Sequence, residues 1–209
     1  MMNKQLVLAS QSPRRKALLS QLGYQFICQP ADIDESVFDD EAAIEYVVRM
    51  AKEKAQVIAN RVKPSINQVV LGADTCVVID SKILAKPVDV ADCLTILKIL
   101  SAEKHQVLTA IAVTDGEIMR VELITTDVYF KALTTAEIIA YWQSGEPQDK
   151  AGAYGIQGIG GQFVRRIEGS YSAVVGLPLY ETSELLATFG LYSAIQQGQD
   201  VKIGEQDAR

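Results

Sequence analysis

Leu6-Val-Leu-Ala-Ser-Gln-Ser-Pro-Arg-Arg-Lys16 holds a strand, a turn and the start of a helix in a single short stretch. The apolar run Leu6 to Ala9 reads as a short buried strand. Ser12 stands as an N-cap, and Pro13 falls at the first helical position, where its fixed φ is favourable and its missing N–H is not needed. Ala17, Leu18, Leu19 and Leu22 continue the helix, and Gly23 ends it. The chain thus opens with a β–α unit, which points to an α/β fold. The first helical turn carries Arg14, Arg15 and Lys16. A helix N-terminus already holds roughly half a positive charge, so cations there are mildly destabilising. They make sense beside a bound anion, most simply a phosphate on the free N–H groups. A solvated basic turn is the plainer alternative.

With 209 residues, 48% of them apolar, the chain can bury a core as one domain or as two closely joined lobes. Its formal net charge of −6 argues against general binding to nucleic acid or an anionic membrane, since both need a basic surface. The basic cluster at 14–16 is therefore a local exception, suited to a small anionic ligand. Cys28, Cys76 and Cys93 are odd in number and irregular in spacing, which gives neither a disulfide framework nor a zinc site. The one histidine, His105, opens an apolar strand and reads as structural, with a catalytic base as the alternative. No signal peptide is expected, and no apolar run approaches the roughly 20 residues that span a bilayer. The expectation is a soluble cytoplasmic protein.

Tyr24 to Cys28 reads as a second strand. Asp32, Asp34 and Glu35 follow, and could ligate a hard divalent cation, while Asp39 to Glu41 suit helix capping. Ala42 to Val62 is the strongest helix, with Ile44, Val47, Val48, Ala51, Ala55, Ile58 and Val62 on one stripe. Lys52 and Lys54 flank that stripe, where lysines usually snorkel to water. Pro64 to Asn67 is a loop. Gln68 to Thr75 reads as a buried strand ending in the carboxylate of Asp74, a candidate metal ligand or general base. Open α/β folds place ligands outside the carboxyl ends of their strands. Cys76 to Asp80 continues extended, and Ile83 to Pro87 returns, bringing Lys86 towards the same crevice.

Asp89 to Leu100 and Thr134 to Trp142 are helices, the second with a capping box from Thr134 or Thr135 and Glu137. Between them, Asp115-Gly116 joins two long extended runs, His105 to Val113 and Glu117 to Phe130, as an antiparallel hairpin. The sheet is therefore mixed. Ser144 to Gly161 holds six glycines in eighteen residues, which suits a phosphate or base cradle but also a lid or a set of turns. No P-loop spacing occurs anywhere. Gln162 to Glu168 is a strand, Gly169-Ser170 a turn, and Pro178 to Phe189 a last helix. The polar tail from Gln196 is expected to fray. With no repeat or linker, residues 1–209 read as one domain.

Four pieces in order, Ala9-Ser-Gln-Ser-Pro-Arg-Arg15, Gly72-Ala-Asp-Thr75, Lys86-Pro87 and Asp149-Lys-Ala-Gly-Ala-Tyr-Gly-Ile-Gln-Gly158, resemble the Maf family of nucleoside triphosphate pyrophosphatases over about residues 6 to 190. The Ala153-Tyr-Gly-Ile-Gln-Gly158 segment is similar to the branch acting on dTTP and UTP. The resemblance implies a fold like that of inosine triphosphate pyrophosphatases, with a long curved mixed sheet flanked by helices and two lobes around a deep cleft. It also implies cleavage between the α- and β-phosphates with a divalent cation, Mg²⁺ or Mn²⁺, in a homodimer. Asp74 matches the family's catalytic carboxylate. Ser10, Arg14 and Arg15 match its phosphate loop, and Glu35, Lys54 and Lys86 match further active-site positions. Arg15, Thr75 and Gln157 match positions associated with substrate choice. Cys76 departs from the usual aliphatic residue and is an expected oxidation liability.

The chemistry agrees. Arg14 and Arg15 can clamp phosphate oxygens in fork geometry, and Lys54 and Lys86 act as point charges. Glu35 and Asp74 suit a divalent cation bridging to phosphate. Gln157 can pair with two neighbouring groups on the imide edge of uracil or thymine. Those bases differ by a methyl worth roughly 1 kcal/mol, so UTP and dTTP should be poorly separated. Arg14 and Arg15 are expected to face the cleft and Lys16 the solvent. Two other readings stay open: a pyrophosphatase for methylated or non-standard purine nucleotides, and a nucleotide-sensing regulator of septum formation in cell division.

Overall fold

The computed structural model describes residues 4–61 and 67–198. The expected end of the long helix at Val62, most of the loop at Pro64 to Asn67 and the tail beyond 198 lie outside them. A seven-stranded mixed sheet carries the fold, in the order β2-β1-β3-β5-β6-β7, with β4 on β3. Strands β1 (Gln5–Leu8), β2 (Phe26–Cys28) and β3 (Gln68–Ile79) are parallel. Strands β4 (Lys82–Leu84), β5 (Lys104–Thr114), β6 (Met119–Phe130) and β7 (Val164–Glu168) join antiparallel. The helices are α1 (Pro13–Gln21), α2 (Ala43–Arg61), α3 (Val90–Leu100), α4 (Thr135–Gln143), α5 (Tyr171–Val175) and α6 (Leu179–Ala187).

Alternation along β3 sorts the core. Val70, Cys76 and Val78 face α2, packing with Val47, Ala51, Ala55 and Ile58. On the opposite face the core falls into two blocks. Leu71 and Ala73 pack with α1 and α6, while Val77 and Ile79 pack with α3 and α4. Thr75 stands at the divide, and these blocks are the two lobes expected around a cleft.

The edge of β3 explains where the cleft opens. Strand β5 pairs with Val70 through Val78 on one side. The other side takes β1 as far as Leu71 and β4 only from Val77. Among the described residues, Gly72 to Cys76 therefore has no strand on this second side. Asp74 is mid-strand, contrary to the expectation that it ends one. The crevice instead lies past the carboxyl end of the neighbouring β1, where β3 is paired only with β5.

The stripe of α2 is also rotated from its expected setting. Val47, Met50, Ala51, Lys54, Ala55 and Ile58 are buried, whereas Ile44 is exposed. Gly72 permits this, because a Cβ there would lie 2.3 Å from the Ala51 carbonyl oxygen and 2.7 Å from the Ala55 nitrogen. The helix thus lies directly on β3, and Lys54 sits in the interface instead of snorkelling.

The hairpin forms as expected, with the Asp115 carboxylate accepting from the backbone N–H groups of Glu117 and Ile118. The capping box of α4 is made by Thr134 and Glu137. Helix α5 was not expected from the sequence. It is five residues long and capped by Ser170, too short to show a period. The beginning of the tail does not fray, since Gln196 packs its amide oxygen on the Ser193 N–H and Gln197 N–H bonds the Ser193 carbonyl.

Candidate active site

On one side of the cleft, Pro13 opens α1 and the Ser12 hydroxyl accepts from the Arg15 N–H. Ser10 Oγ accepts from the Ser12 N–H at 3.1 Å, which leaves the Ser10 hydroxyl proton available to a ligand. Arg15 Nε donates to the Gly176 carbonyl at 2.9 Å and Nη2 to Thr75 Oγ1 at 3.2 Å. Burial pushes the Arg15 pKa down, partly countered by the charge of Asp74. Arg14 pairs with Asp149 of the glycine-rich segment, Nη1 to Oδ2, at 3.2 Å. Both arginines line the cleft and Lys16 is exposed, as expected.

One turn of α2 builds the carboxylate end. Lys54 Nζ lies 2.7 Å from Asp74 Oδ1 and 2.6 Å from Glu35 Oε1. Asp74 is buried, and among the described residues its Oδ2 has no hydrogen-bond partner. Glu35 belongs to the loop between β2 and α2, and side chains of α2 tie this loop down. Tyr46 Oη donates to the Glu35 carbonyl, Arg49 donates to the Ser36 carbonyl, and Arg49 pairs with Glu41. Burial would raise the Glu35 pKa, but the bond and charge of Lys54, with Lys86 and Arg15, outweigh it and hold the carboxyl low. Asp34 is spent on a turn, accepting from the Ser36 N–H, while Asp32 lines the cleft.

These carboxylates fit a divalent cation in one specific way. Among the described residues, no three acidic, histidine or cysteine side chains converge as a metal set. Glu35 and Asp74 do converge on one cationic centre, the Lys54 ammonium. A Mg²⁺-type site needs only one or two carboxylates when phosphate and water complete its shell.

The glycine-rich segment also lines the cleft, folded as three short 3₁₀ turns, Glu146–Asp149, Ala151–Ala153 and Ile159–Phe163. Its organiser is Glu146, which sequence reasoning missed. The Glu146 carboxylate accepts from Tyr141 Oη at 2.7 Å, the Ile159 N–H at 2.7 Å and the Gly160 N–H at 3.0 Å. Burial opposes ionisation, yet these donors win and its pKa is lowered. A Cβ at Gly158 would lie 2.2 Å from Glu146 Oε2, so a side chain there would push the carboxylate off its donors. Gln157, held between these anchors, is exposed, and no described residue occupies its amide.

One cavity of about 1050 Å³ is lined by Ser10, Arg14, Arg15, Glu35, Lys54, Asp74, Thr75, Lys86 and Gln157. All nine sequence candidates meet there. Thr109 and Gly176, also missed, support the arginine from behind. The register of the β3–β5 pair sets Thr75 opposite Thr109, and Gly176 ends α5. His105 is not among the residues that line this cavity, although its partner Tyr154 is. It is buried against Phe130 with Nε2 on Tyr154 Oη at 2.9 Å, a structural role. Cys76 is buried in the wall of the cleft, and burial and the charge of Asp74 push its thiol up to about 12, which disfavours the reactive thiolate.

A protein of Colwellia psychrerythraea named dTTP/UTP pyrophosphatase is 55% identical over 195 residues, covering 92% of this chain and 92% of that protein. A Vibrio vulnificus protein of the same name is 55% identical over 184 residues, covering 88% of this chain and 98% of that one. Among solved structures, the Staphylococcus aureus Ham1 protein matches at a TM-score of 0.42 and 15% identity, over 61% of this chain and 72% of that chain. A family model described as Maf-like protein spans residues 5–189, and with these relatives it fixes the kinship: the chain belongs to the Maf-like family.

Proposed function

We propose that the protein is a nucleoside triphosphate pyrophosphatase that hydrolyses dTTP and UTP to the monophosphate and pyrophosphate. The shared name of its relatives supports this substrate pair over methylated or non-standard purines. The observation that carries the chemistry is the Asp74 carboxylate, tied by Lys54 on one oxygen only and set in the same cleft as Arg14, Arg15 and Lys86.

In this reading the triphosphate lies along the α1 N-terminus. Arg15, already locked by Gly176 and Thr75, binds phosphate oxygens without first being ordered. Arg14 exchanges its exposed partner Asp149 for phosphate, and Ser10 donates its hydroxyl proton. Asp74 Oδ2 takes a proton from a water as the water oxygen bonds to the α-phosphorus. The bond from that phosphorus to the α–β bridging oxygen breaks, and pyrophosphate leaves. Lys54 keeps the Asp74 carboxylate oriented, and Lys86 faces the charge growing on the leaving group. A Mg²⁺ or Mn²⁺ held by Glu35 and Asp74 would supply further neutralisation of the phosphates when bound.

Base choice falls to Gln157, whose amide presents both a donor and an acceptor to the imide edge. A cytoplasmic homodimer of one-domain subunits belongs to the same proposal, and light scattering on the purified protein tests the assembly. The substrate reading is tested by a panel of triphosphates with Mg²⁺ or Mn²⁺ and pyrophosphate as readout. Release from dTTP and UTP above the other nucleotides supports it; no release from either overturns it.

A further inference from the structure

Behind the cleft a line of hydroxyls runs from Arg15 into the core. Arg15 Nη2 meets Thr75 Oγ1 at 3.2 Å, Thr75 Oγ1 meets Thr109 Oγ1 at 3.0 Å, and Thr109 Oγ1 meets the Ala173 carbonyl of α5 at 2.8 Å. The direction of each bond follows from the two ends. A carbonyl can only accept, so Thr109 must spend its single proton on Ala173. The Thr109 oxygen can then only accept from Thr75, which spends the proton of Thr75. Guanidinium can only donate, so Thr75 accepts from Arg15. The line has one polarity, and it is fixed by fully buried Thr109.

We infer that Thr109 is a specificity-positioning residue, which makes Thr75 an acceptor towards the cleft. A hydroxyl free to rotate serves a donor and an acceptor ligand equally well. Thr75 is not free: with its proton spent on Thr109, it can only accept from a ligand in the cavity that it lines. That lone pair suits a ring N–H, which uracil and thymine carry at the centre of the imide edge. It repels the bare ring nitrogen that cytosine presents there. Gln157, with its donor and acceptor together, adapts to several edges, so a group of fixed polarity adds discrimination that Gln157 alone lacks. The inference rests on the reading of the site as one for uracil and thymine nucleotides.

Thr109→Val removes the proton sink and lets the Thr75 hydroxyl turn towards the cleft. Thr109→Ser keeps the hydroxyl and loses only a methyl. The measurement is kcat/KM for UTP, dTTP and CTP with wild type and both variants, alongside a thermal melt. The expected result is a fall of about tenfold in the UTP-to-CTP ratio for Thr109→Val, the size of one buried hydrogen bond, and the wild-type ratio in Thr109→Ser. Where Thr109→Val does not yield folded protein, Thr109→Ala carries the same expectation, since it removes the hydroxyl without adding a methyl. An unchanged ratio in the hydroxyl-free variant overturns the inference, as does an equal fall in Thr109→Ser, which would point to packing. Failure of the functional reading looks different, because the wild type itself would then release no pyrophosphate from UTP or dTTP.

Discussion

Lys54 donates to Asp74 across 2.7 Å from a helix position that belongs to the buried stripe of α2. A lysine ammonium is costly to bury alone, and here two carboxylates, Asp74 and Glu35, offset that cost. Asp74→Asn keeps a carbonyl oxygen for Lys54 but cannot take a proton from water. Turnover should fall by about 10²- to 10⁴-fold, the range for losing a general base. Steady-state rates with the melting temperature check this, and a fold-preserving variant that retains activity contradicts it.

Lys54→Met should act through the carboxylates it leaves behind. Glu35 loses the bond and charge that hold it low, and burial then drives its pKa up. The acid limb of kcat/KM against pH should move to higher pH, with the maximum lower by about a hundredfold. A pH–rate profile displaced the other way would remove Lys54 from this role.

Arg14→Ala should raise KM about tenfold through a lost phosphate contact. Stability should barely change, because the Arg14–Asp149 pair is exposed, and such pairs contribute about 0–1 kcal/mol. Substrate titration and denaturant unfolding of one preparation separate the two effects.

Glu146→Gln should loosen the base end without touching the phosphates. Glutamine puts N–H donors where Ile159 and Gly160 already offer theirs. The buried mismatch should cost about 1–3 kcal/mol of stability. Selectivity between UTP and CTP should fall more than kcat does for UTP. Equal loss on both nucleotides would show that Glu146 does not act through Gln157.

Stability should also fall in mild acid through His105. Burial pushes its pKa down to about 4, against about 6.5 in an unfolded chain. Between those values the unfolded state binds a proton that the folded state refuses. The stability is therefore complete above about pH 6.5 and is lost as pH falls towards 4, by about 2 kcal/mol from pH 7 to pH 5. His105→Gln keeps a partner for Tyr154 and cannot titrate, so urea unfolding at pH 7 and pH 5 should lose most of this difference.

Much of this site was legible in the chain because its signals are local. Ser12, Pro13, Arg14 and Arg15 announce a capped helix with a basic first turn, and Asp115-Gly116 announces a hairpin. Lys54 was harder. Its burial depends on Gly72 letting α2 sit directly on β3, a contact between segments that no helical period records. Asp74 reads as a strand end because polar residues usually end strands, yet β5 pairs straight through it. Glu146 and Thr109 stayed hidden for the same reason. A glutamate near a loop and a threonine in an apolar strand have no distinctive pattern until the fold supplies their donors.

The central claim is that water, deprotonated by Asp74, attacks the α-phosphorus of a uracil or thymine nucleotide. Turnover of dTTP in ¹⁸O-water, with mass analysis of both products, tests it most directly. The account predicts dTMP and pyrophosphate, with the label in dTMP and its formation slowed by about 10²- to 10⁴-fold in Asp74→Asn. Label in pyrophosphate, or dTDP with orthophosphate as products, would contradict it.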